Sequence, residues 1–285
     1  MGLFDALDAA TSRSKNQILR APFGWPGGKS KSLEQILPHL PYREKYVEAF
    51  GGSGAVLLAR AKSKIDVYND RYGGVVCFYQ CLRDPALFER LTGWLELSLH
   101  AREEFSWCKE TWSNHRDPVE RAARWYSMIQ ASFGSIGRNW GRQVNGNSMA
   151  GKIQRRLQEF PALHERLKDV QIENQDWADC LRDYDDRDAV FYLDPPYVDV
   201  NRGTYKSEMS IESHRALLET VFSLDGYVAV SGYSNPLYEE QDWDQRYEWD
   251  AFVSIQSIGG AGNGKESLKG LETRGSVKEV LWVKE

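Results

Sequence analysis

Asp194-Pro195-Pro196-Tyr197 follows the apolar run Ala189-Val190-Phe191-Tyr192-Leu193, placing a carboxylate and an aromatic ring on one short, stiffened loop. Each proline fixes φ and removes a backbone donor, so carbonyls at the end of a buried strand would point outward unpaired. That combination is a socket for a planar amine. An amino group on an aromatic ring is a weak nucleophile because its lone pair is delocalised into the ring. A carboxylate and a carbonyl that accept its two N–H protons favour the localised lone pair and stabilise positive charge as it develops. Tyr197 would stack on the ring. An isolated Asp-Pro-Pro also suits a turn with an aspartate cap, and what sets this one apart is the sequence upstream.

There, Tyr46-Val47-Glu48-Ala49-Phe50-Gly51-Gly52-Ser53-Gly54 puts a glycine-rich turn directly after one apolar run and before a helical one, so backbone amides can face a ligand. It is not the dinucleotide fingerprint, because position 57, where the third glycine would fall, is Leu. The next apolar run ends at Asp70, nineteen residues after Gly51, where a carboxylate can accept ribose hydroxyls. Turn and carboxylate together read as a nucleoside site. A second glycine loop, Trp25-Pro26-Gly27-Gly28-Lys29-Ser30, ends like a triphosphate loop, but its leading glycine would fall at position 23, which is Phe. A triphosphate is a poor fit to this loop.

The elements that must position these groups are legible as short apolar runs: KYVEAF, KIDVYND, VQIEN, AVFYLD, GYVAVSG and KEVLWVK each read as a strand. Helical patterns lie between most of them, as at 54–62 and 211–222, where apolar residues recur three and four apart. Alternating strand and helix predict an α/β fold: a mostly parallel, twisted sheet with helices on both faces. About a hundred residues separate Asp70 from Ile172, too many for a simple crossover. We therefore expect a core domain of residues 1–73 and 169–285 and an inserted, mainly helical domain of 74–168. Within the insertion, SFGSIGRNWGRQVNGNSMAGK reads as a hairpin or loop, and SIGGAGNGKESLKGLETRGS near the end of the chain as a mobile loop.

The 285 residues carry a net charge of −5, which at first opposes a nucleic-acid partner. Distribution reverses that. From Arg121 to Arg156 there are seven basic residues and no acid, and from Ala9 to Leu33 five more, again with none. The other 24 Lys and Arg face all 41 Asp and Glu, so a basic surface on an acidic body is expected. No apolar run is long enough to span a bilayer and the N-terminus lacks a secretory pattern, so a cytoplasmic protein is expected. Cys77, Cys81, Cys108 and Cys180 form no Cys-x-x-Cys pair, and Cys77 and Cys81 suit one apolar helix face. The five histidines show no nucleophile or metal geometry.

With WPGGK, YVEAFGGSGAV, VYND, ENQDWADCL, FYLDPPYV, SHRALLE and VKEVLWV in this order, the chain resembles the Dam-type family of adenine-specific (N6) DNA methyltransferases over most of its length except the insertion. The resemblance implies a Rossmann-like S-adenosylmethionine-dependent methyltransferase fold with an inserted target-recognition domain. It implies that Trp25, Gly27 and Lys29 enclose the cofactor together with Glu48, Phe50, Gly51, Gly52, Ser53 and Gly54. Asp70 would hold the ribose, Asp176 and Trp177 the cofactor's adenine. Asp194, with Pro195, Pro196 and Tyr197, would lie between methyl donor and flipped-out target base. No metal is needed, because the sulfonium already makes the methyl electrophilic. Double-stranded DNA would be met by Arg121, Arg124, Arg138, Asn139, Trp140, Arg142, Lys152, Arg155 and Arg156, and the protein would act as a monomer or weak dimer, in a bacterial or phage-infected cell. The family segment that reads GATC carries Asn-Gly-Leu-x-Arg and Phe-Asn-x-Pro-x-Gly, whereas this chain has FGSIGRN and WGRQVNGNS, so GATC specificity does not carry over. Methylation of another planar amine stands as the alternative. Cytosine-N4 enzymes usually show Ser-Pro-Pro-Tyr and protein-glutamine enzymes Asn-Pro-Pro-Tyr, and RNA is a further candidate. An inactive DNA-binding relative is the remaining class.

Overall fold

Runs of alternating large and branched apolar residues build the sheet in the computed structural model, which describes residues 18–142, 149–198, 209–250 and 278–285. Its strands are β1 (Lys45–Glu48), β2 (Ile65–Asn69), β3 (Val170–Glu173), β4 (Ala189–Leu193), β5 (Tyr227–Tyr233), β6 (Gln245–Asp250) and β7 (Lys278–Lys284). They lie in the order β3-β2-β1-β4-β5-β7-β6, parallel from β3 to β5 and antiparallel at β7 and β6. Six of the seven are the strands expected from the sequence. The seventh, β6, has alternate residues exposed and only Tyr247 and Trp249 as apolar contacts, so it offers no continuous apolar run to find.

The helices are α1 (Leu33–Ile36), α2 (Ala55–Ala59), α3 (Gly73–Arg83), α4 (Pro85–Glu96), α5 (Arg102–Thr111), α6 (Pro118–Ala131), α7 (Met149–Leu157), α8 (Phe160–Leu167), α9 (Trp177–Tyr184), α10 (Ile211–Ser223) and α11 (Pro236–Glu239). Period-2 alternation sends successive strand residues to opposite faces. Tyr46, Tyr68 and Tyr192 therefore face a cluster shared with α3, α4, α6 and α8, while Val47, Val67 and Phe191 face α9, α10 and α11. The predicted helix at 54–62 ends early, at Ala59. Arg60 is extended, with its guanidinium 3.1 Å from Asp66 and stacked 4.0 Å from the Tyr46 ring.

The interval between β2 and β3 is mainly helical in its described part, from α3 to α8. Its helices share a core with the sheet: Phe78 of α3 stacks on Tyr126 of α6 at 4.8 Å and meets Phe23 edge-on at 5.7 Å, within the cluster that also holds Tyr68 and Tyr192. Asp84 and Asp117 cap α4 and α6, each accepting from two backbone amides one turn in, with proline at the next position. The predicted hairpin closes through an antiparallel bridge between Ser132 and Trp140, with Phe133 N–H on Asn139 O at 2.8 Å and Gly141 N–H on Ala131 O at 2.8 Å. Its continuation at 143–148 and the predicted loop at 257–276 lie outside the described residues. All four cysteines are free and buried, Cys77 and Cys81 in α3. No described helix is long and apolar enough to cross a membrane.

Candidate active site

Strand order reverses between β1 and β4: from β1 the chain moves outward through β2 and β3, and from β4 outward through β5. Open α/β sheets bind ligands at the carboxyl ends of the strands at such a switch point. The glycine turn follows β1 and the Asp194 loop follows β4, with Glu48 in register with Tyr192.

The turn is held from beneath. Tyr68 O–H donates to Gly52 O at 2.6 Å and Tyr79 O–H to Ser53 O at 2.6 Å, while Gly54 N–H closes on Gly51 O at 2.7 Å. Gly52 and Gly54 have φ of 50° and 61°, the left-handed region that glycine enters without a Cβ penalty. Gly52 N–H donates to Asp70 Oδ2 at 2.7 Å and Tyr72 N–H to Asp70 Oδ1 at 2.7 Å, fixing the β2 carboxylate beside the turn. Burial raises its pKa, against those two backbone bonds. Asn69 ties the next strand end in, donating to Ala49 O and Gln175 O and accepting from Gln175 N–H. Asp176 caps α9 through Ala178 N–H at 3.0 Å, and Trp177 lies parallel to Phe50 at 6.3 Å. Phe50, Asp70, Asp176 and Trp177 are thus gathered on the ends of β1, β2 and β3.

Glu48 is 3% exposed and hydrogen-bonded to neutral groups, Leu57 N–H at 3.0 Å and Tyr46 O–H at 3.4 Å. Burial pushes its pKa up to about 8, with the Asp194 charge adding to the rise and the Leu57 bond opposing it.

Trp25 to Gly28 forms a turn closed by Gly28 N–H on Trp25 O at 3.0 Å, with Pro26 and Gly27 at its centre and Gly27 at φ 73°, the residue order a type II turn requires. Trp25 is laid against Gly52, where a Cβ would meet its indole nitrogen at 2.8 Å. Lys29 is turned the other way. Its Nζ donates to Gly27 O at 2.7 Å and Asp194 Oδ2 at 2.5 Å and lies 5.0 Å from the centre of the Tyr197 ring. The sequence placed Lys29 with the cofactor loop, and the structure puts its ammonium against Asp194 and the Tyr197 ring.

Asp194 also accepts from Ser231 Oγ at 2.9 Å and keeps 18% of its side chain exposed. A carboxylate has about four acceptor positions, so two donors leave room for an incoming N–H. Burial raises its pKa, and the Lys29 ammonium pulls the other way. Tyr197 packs edge-on against Tyr233 at 4.6 Å and donates its O–H to Glu279 Oε1 at 2.8 Å. Burial first, then Asp194 and Glu279, hold that phenol well above its ordinary pKa, so it remains a donor. Behind the loop a small cleft is lined by Pro195, Tyr197, His214, Ser231 and Tyr233. His214 bonds Tyr238 O–H through Nδ1 at 2.9 Å; burial lowers its pKa, and contact with the Pro196 backbone opposes this.

Sequence reasoning missed Ser231, His214 and Glu279. A glutamate inside the apolar run KEVLWV was a signal, since a strand buried on both faces has no place for an unpaired carboxylate.

The basic residues divide. Arg138, Asn139, Arg142 and Arg155 are exposed, the first three on the hairpin, where Phe133 is also 63% exposed. Trp140 is half-buried against His100 and Phe105, Lys152 is half-buried, and Arg156 pairs with Glu159 at 2.9 Å. Arg121 is half-buried, its guanidinium beside Gly73. Arg124 is buried, paired with Glu120 at 2.9 Å and stacked on Trp107 at 4.0 Å, so helix packing takes up the charge that the sequence offered to phosphate. Among the described residues no three His, Cys, Asp or Glu come together to hold a metal ion.

A family model for D12 class N6 adenine-specific DNA methyltransferases matches residues 25–255. The chain is 27% identical over 192 residues to the DNA adenine methylase of Salmonella typhi, covering 62% of this chain and 65% of that protein's length. It is 27% identical over 201 residues to the type II methyltransferase M.MjaIII of Methanocaldococcus jannaschii, 62% of this chain and 69% of the relative. It is 25% identical over 270 residues to the DNA adenine methylase of Escherichia coli K12, 87% of this chain and 92% of the relative.

Proposed function

The chain belongs to the D12 class N6 adenine-specific DNA methyltransferases, and on that premise we propose that it transfers a methyl group from S-adenosylmethionine to N6 of an adenine swung out of duplex DNA. The observation that carries the reading is the meeting of the glycine turn and the Asp194 loop on adjacent parallel strand ends at the switch point.

The residues present fit the cofactor. Glu48 is a buried carboxyl whose hydrogen-bond partners are neutral, and a cationic ligand would draw its proton away. Asp70 would hold the ribose hydroxyls, Asp176 and Trp177 the purine, and Trp25, Gly27, Phe50, Gly51, Gly52, Ser53 and Gly54 would wall the turn. When bound, S-adenosylmethionine supplies a methyl group made electrophilic by its sulfonium. This chain's residues do the rest. Asp194 accepts an N–H of the target amine and keeps its lone pair localised, the Tyr197 ring offers a stacking face, and the two prolines hold the loop open to the base. An aspartate at position 194, in place of serine or asparagine, favours adenine over cytosine or a protein amide. A base must leave the stack to reach this socket. The hairpin and α7, with Arg138, Asn139, Arg142 and Arg155, supply phosphate or groove contacts, and the helices between β2 and β3 serve as the target-recognition unit. The enzyme acts on DNA in the cytoplasm.

Incubation of the protein with S-adenosylmethionine and unmethylated plasmid, followed by sequencing that detects modified bases, tests the reading. N6-methyladenine in a recurring context is expected. Methyl groups confined to cytosine, or none in DNA, would overturn it.

A further inference from the structure

Glu279 is 6% exposed and is the second residue of β7, followed by the buried run Val280, Leu281, Trp282 and Val283. A carboxylate there is tolerable only if it is fully hydrogen-bonded. Its two oxygens are used differently. Oε2 accepts from Ser32 Oγ, just before α1, at 3.0 Å and from Trp249 Nε1, on its registered partner in β6, at 3.1 Å, so this side faces the sheet and the segment that enters α1. Oε1 accepts the Tyr197 O–H at 2.8 Å and lies 3.6 Å from Lys29 Nζ. The registered partner on β5 is Tyr233, the ring that Tyr197 meets edge-on. One carboxylate thus joins the last strand to both Tyr197 and Lys29.

We propose that Glu279 is a positioning residue for methyl transfer, fixing the Tyr197 ring through its hydroxyl and sharing the Lys29 ammonium with Asp194. The inference rests on the reading of the site as a methyltransferase centre. Lys29 stands 2.5 Å from Asp194 and takes up one acceptor position of that carboxylate, leaving others for an incoming amine. Glu279 Oε1, 3.6 Å from the same ammonium, shares its charge, so Asp194 does not carry the ion pair alone. Asp194 then keeps its accepting power for the substrate, and Tyr197 stays in plane.

Glu279→Gln isolates this role. Trp249 N–H can only donate, so the amide turns its oxygen toward Trp249 and presents its NH2 to Tyr197 and Lys29. The sheet side is preserved and the site side reversed: Lys29 is repelled onto Asp194 and the Tyr197 bond is inverted. Single-turnover transfer of labelled methyl to duplex DNA is measured for wild type, E279Q, Y197F and the double variant, with DNA and cofactor affinities from binding titrations. The rate of E279Q should fall about ten- to hundred-fold, the cost of a misplaced reacting group, with both affinities unchanged. The double variant should be no slower than the slower single, because the two act through one bond. Trp249→Phe, which removes only the sheet-side donor, should keep its rate. E279Q at the wild-type rate, a loss shared equally by W249F, or additive losses in the double variant would overturn the proposal. Should E279Q fail to fold, Y197F carries the test, and a wild-type rate there overturns it. Wild-type protein that transfers nothing to adenine contradicts the functional reading itself, whereas active wild type with fast E279Q contradicts this inference alone.

Discussion

Glu48 and Asp194 end neighbouring strands, and what separates them is the company each keeps. Asp194 has an ammonium at 2.5 Å and a serine hydroxyl at 2.9 Å. Glu48 has an amide and a phenol. Its pKa of about 8 means that it is mostly protonated in the free protein at pH 7. The folded value lies above the unfolded one, so its contribution to stability is present below about pH 4.5 and is lost as pH rises through 8. Thermal melts of wild type and Glu48→Gln between pH 5 and 9 should show the difference moving in favour of the glutamine variant as pH increases. A difference that does not change with pH would contradict the assignment. Cofactor binding near pH 7.5 should also release about three-quarters of a proton from Glu48, read by calorimetry in buffers of different ionisation enthalpy, and E48Q should remove that contribution.

At the scale of elements, the turn after β1 is shaped by what stands beneath it. A Cβ on Gly51 would fall 2.2 Å from the Tyr68 ring, whose hydroxyl pins Gly52 O. Gly51→Ala should therefore cost about 1–3 kcal/mol and weaken cofactor binding with it, measured by urea unfolding and titration. Unchanged stability would show that the ring can yield. The hairpin makes a separate demand. Replacing Arg138 and Arg142 by alanine should reduce the slope of log affinity for DNA against log salt by about 2, roughly 0.9 for each phosphate no longer neutralised. An unaltered slope would remove them from the interface. Both elements were legible in outline, the turn from three glycines after an apolar run and the hairpin from its Gly, Asn and Ser content. Which arginines face outward was not legible, because Arg124 and Arg138 look alike in one dimension, and it is Glu120 and Trp107 that draw the first into the helix packing.

Across the whole molecule, the helices between β2 and β3 and the sheet they cover share one apolar cluster. Phe78, fully buried, touches Phe23 of the segment that leads into the Trp25 turn, Tyr126 of α6 and Phe160 of α8. Phe78→Ala should cost about 3–5 kcal/mol and lower a single cooperative melt, seen alike by near-ultraviolet and far-ultraviolet circular dichroism. Two separated transitions would mean that the parts fold independently. The sequence boundary at residue 74 falls in the first turn of α3, whose buried residues join the cluster that holds Tyr68 and Tyr192, and periodicity carries no information about which core a buried face joins. Strand order, the pairing of Glu48 with Tyr192 and the reach of Glu279 to Tyr197 are long-range facts of the same kind. Local patterns found six strands and the Asp194 loop, and tertiary packing decided what they touch.

The most direct measurement is single-turnover methyl transfer by Asp194→Ala set beside its DNA and cofactor affinities. Loss of transfer by several orders of magnitude, with both affinities close to wild type, is predicted, since Asp194 is placed to act on the amine and not to hold the duplex. Transfer to adenine at the wild-type rate by this variant would contradict the account.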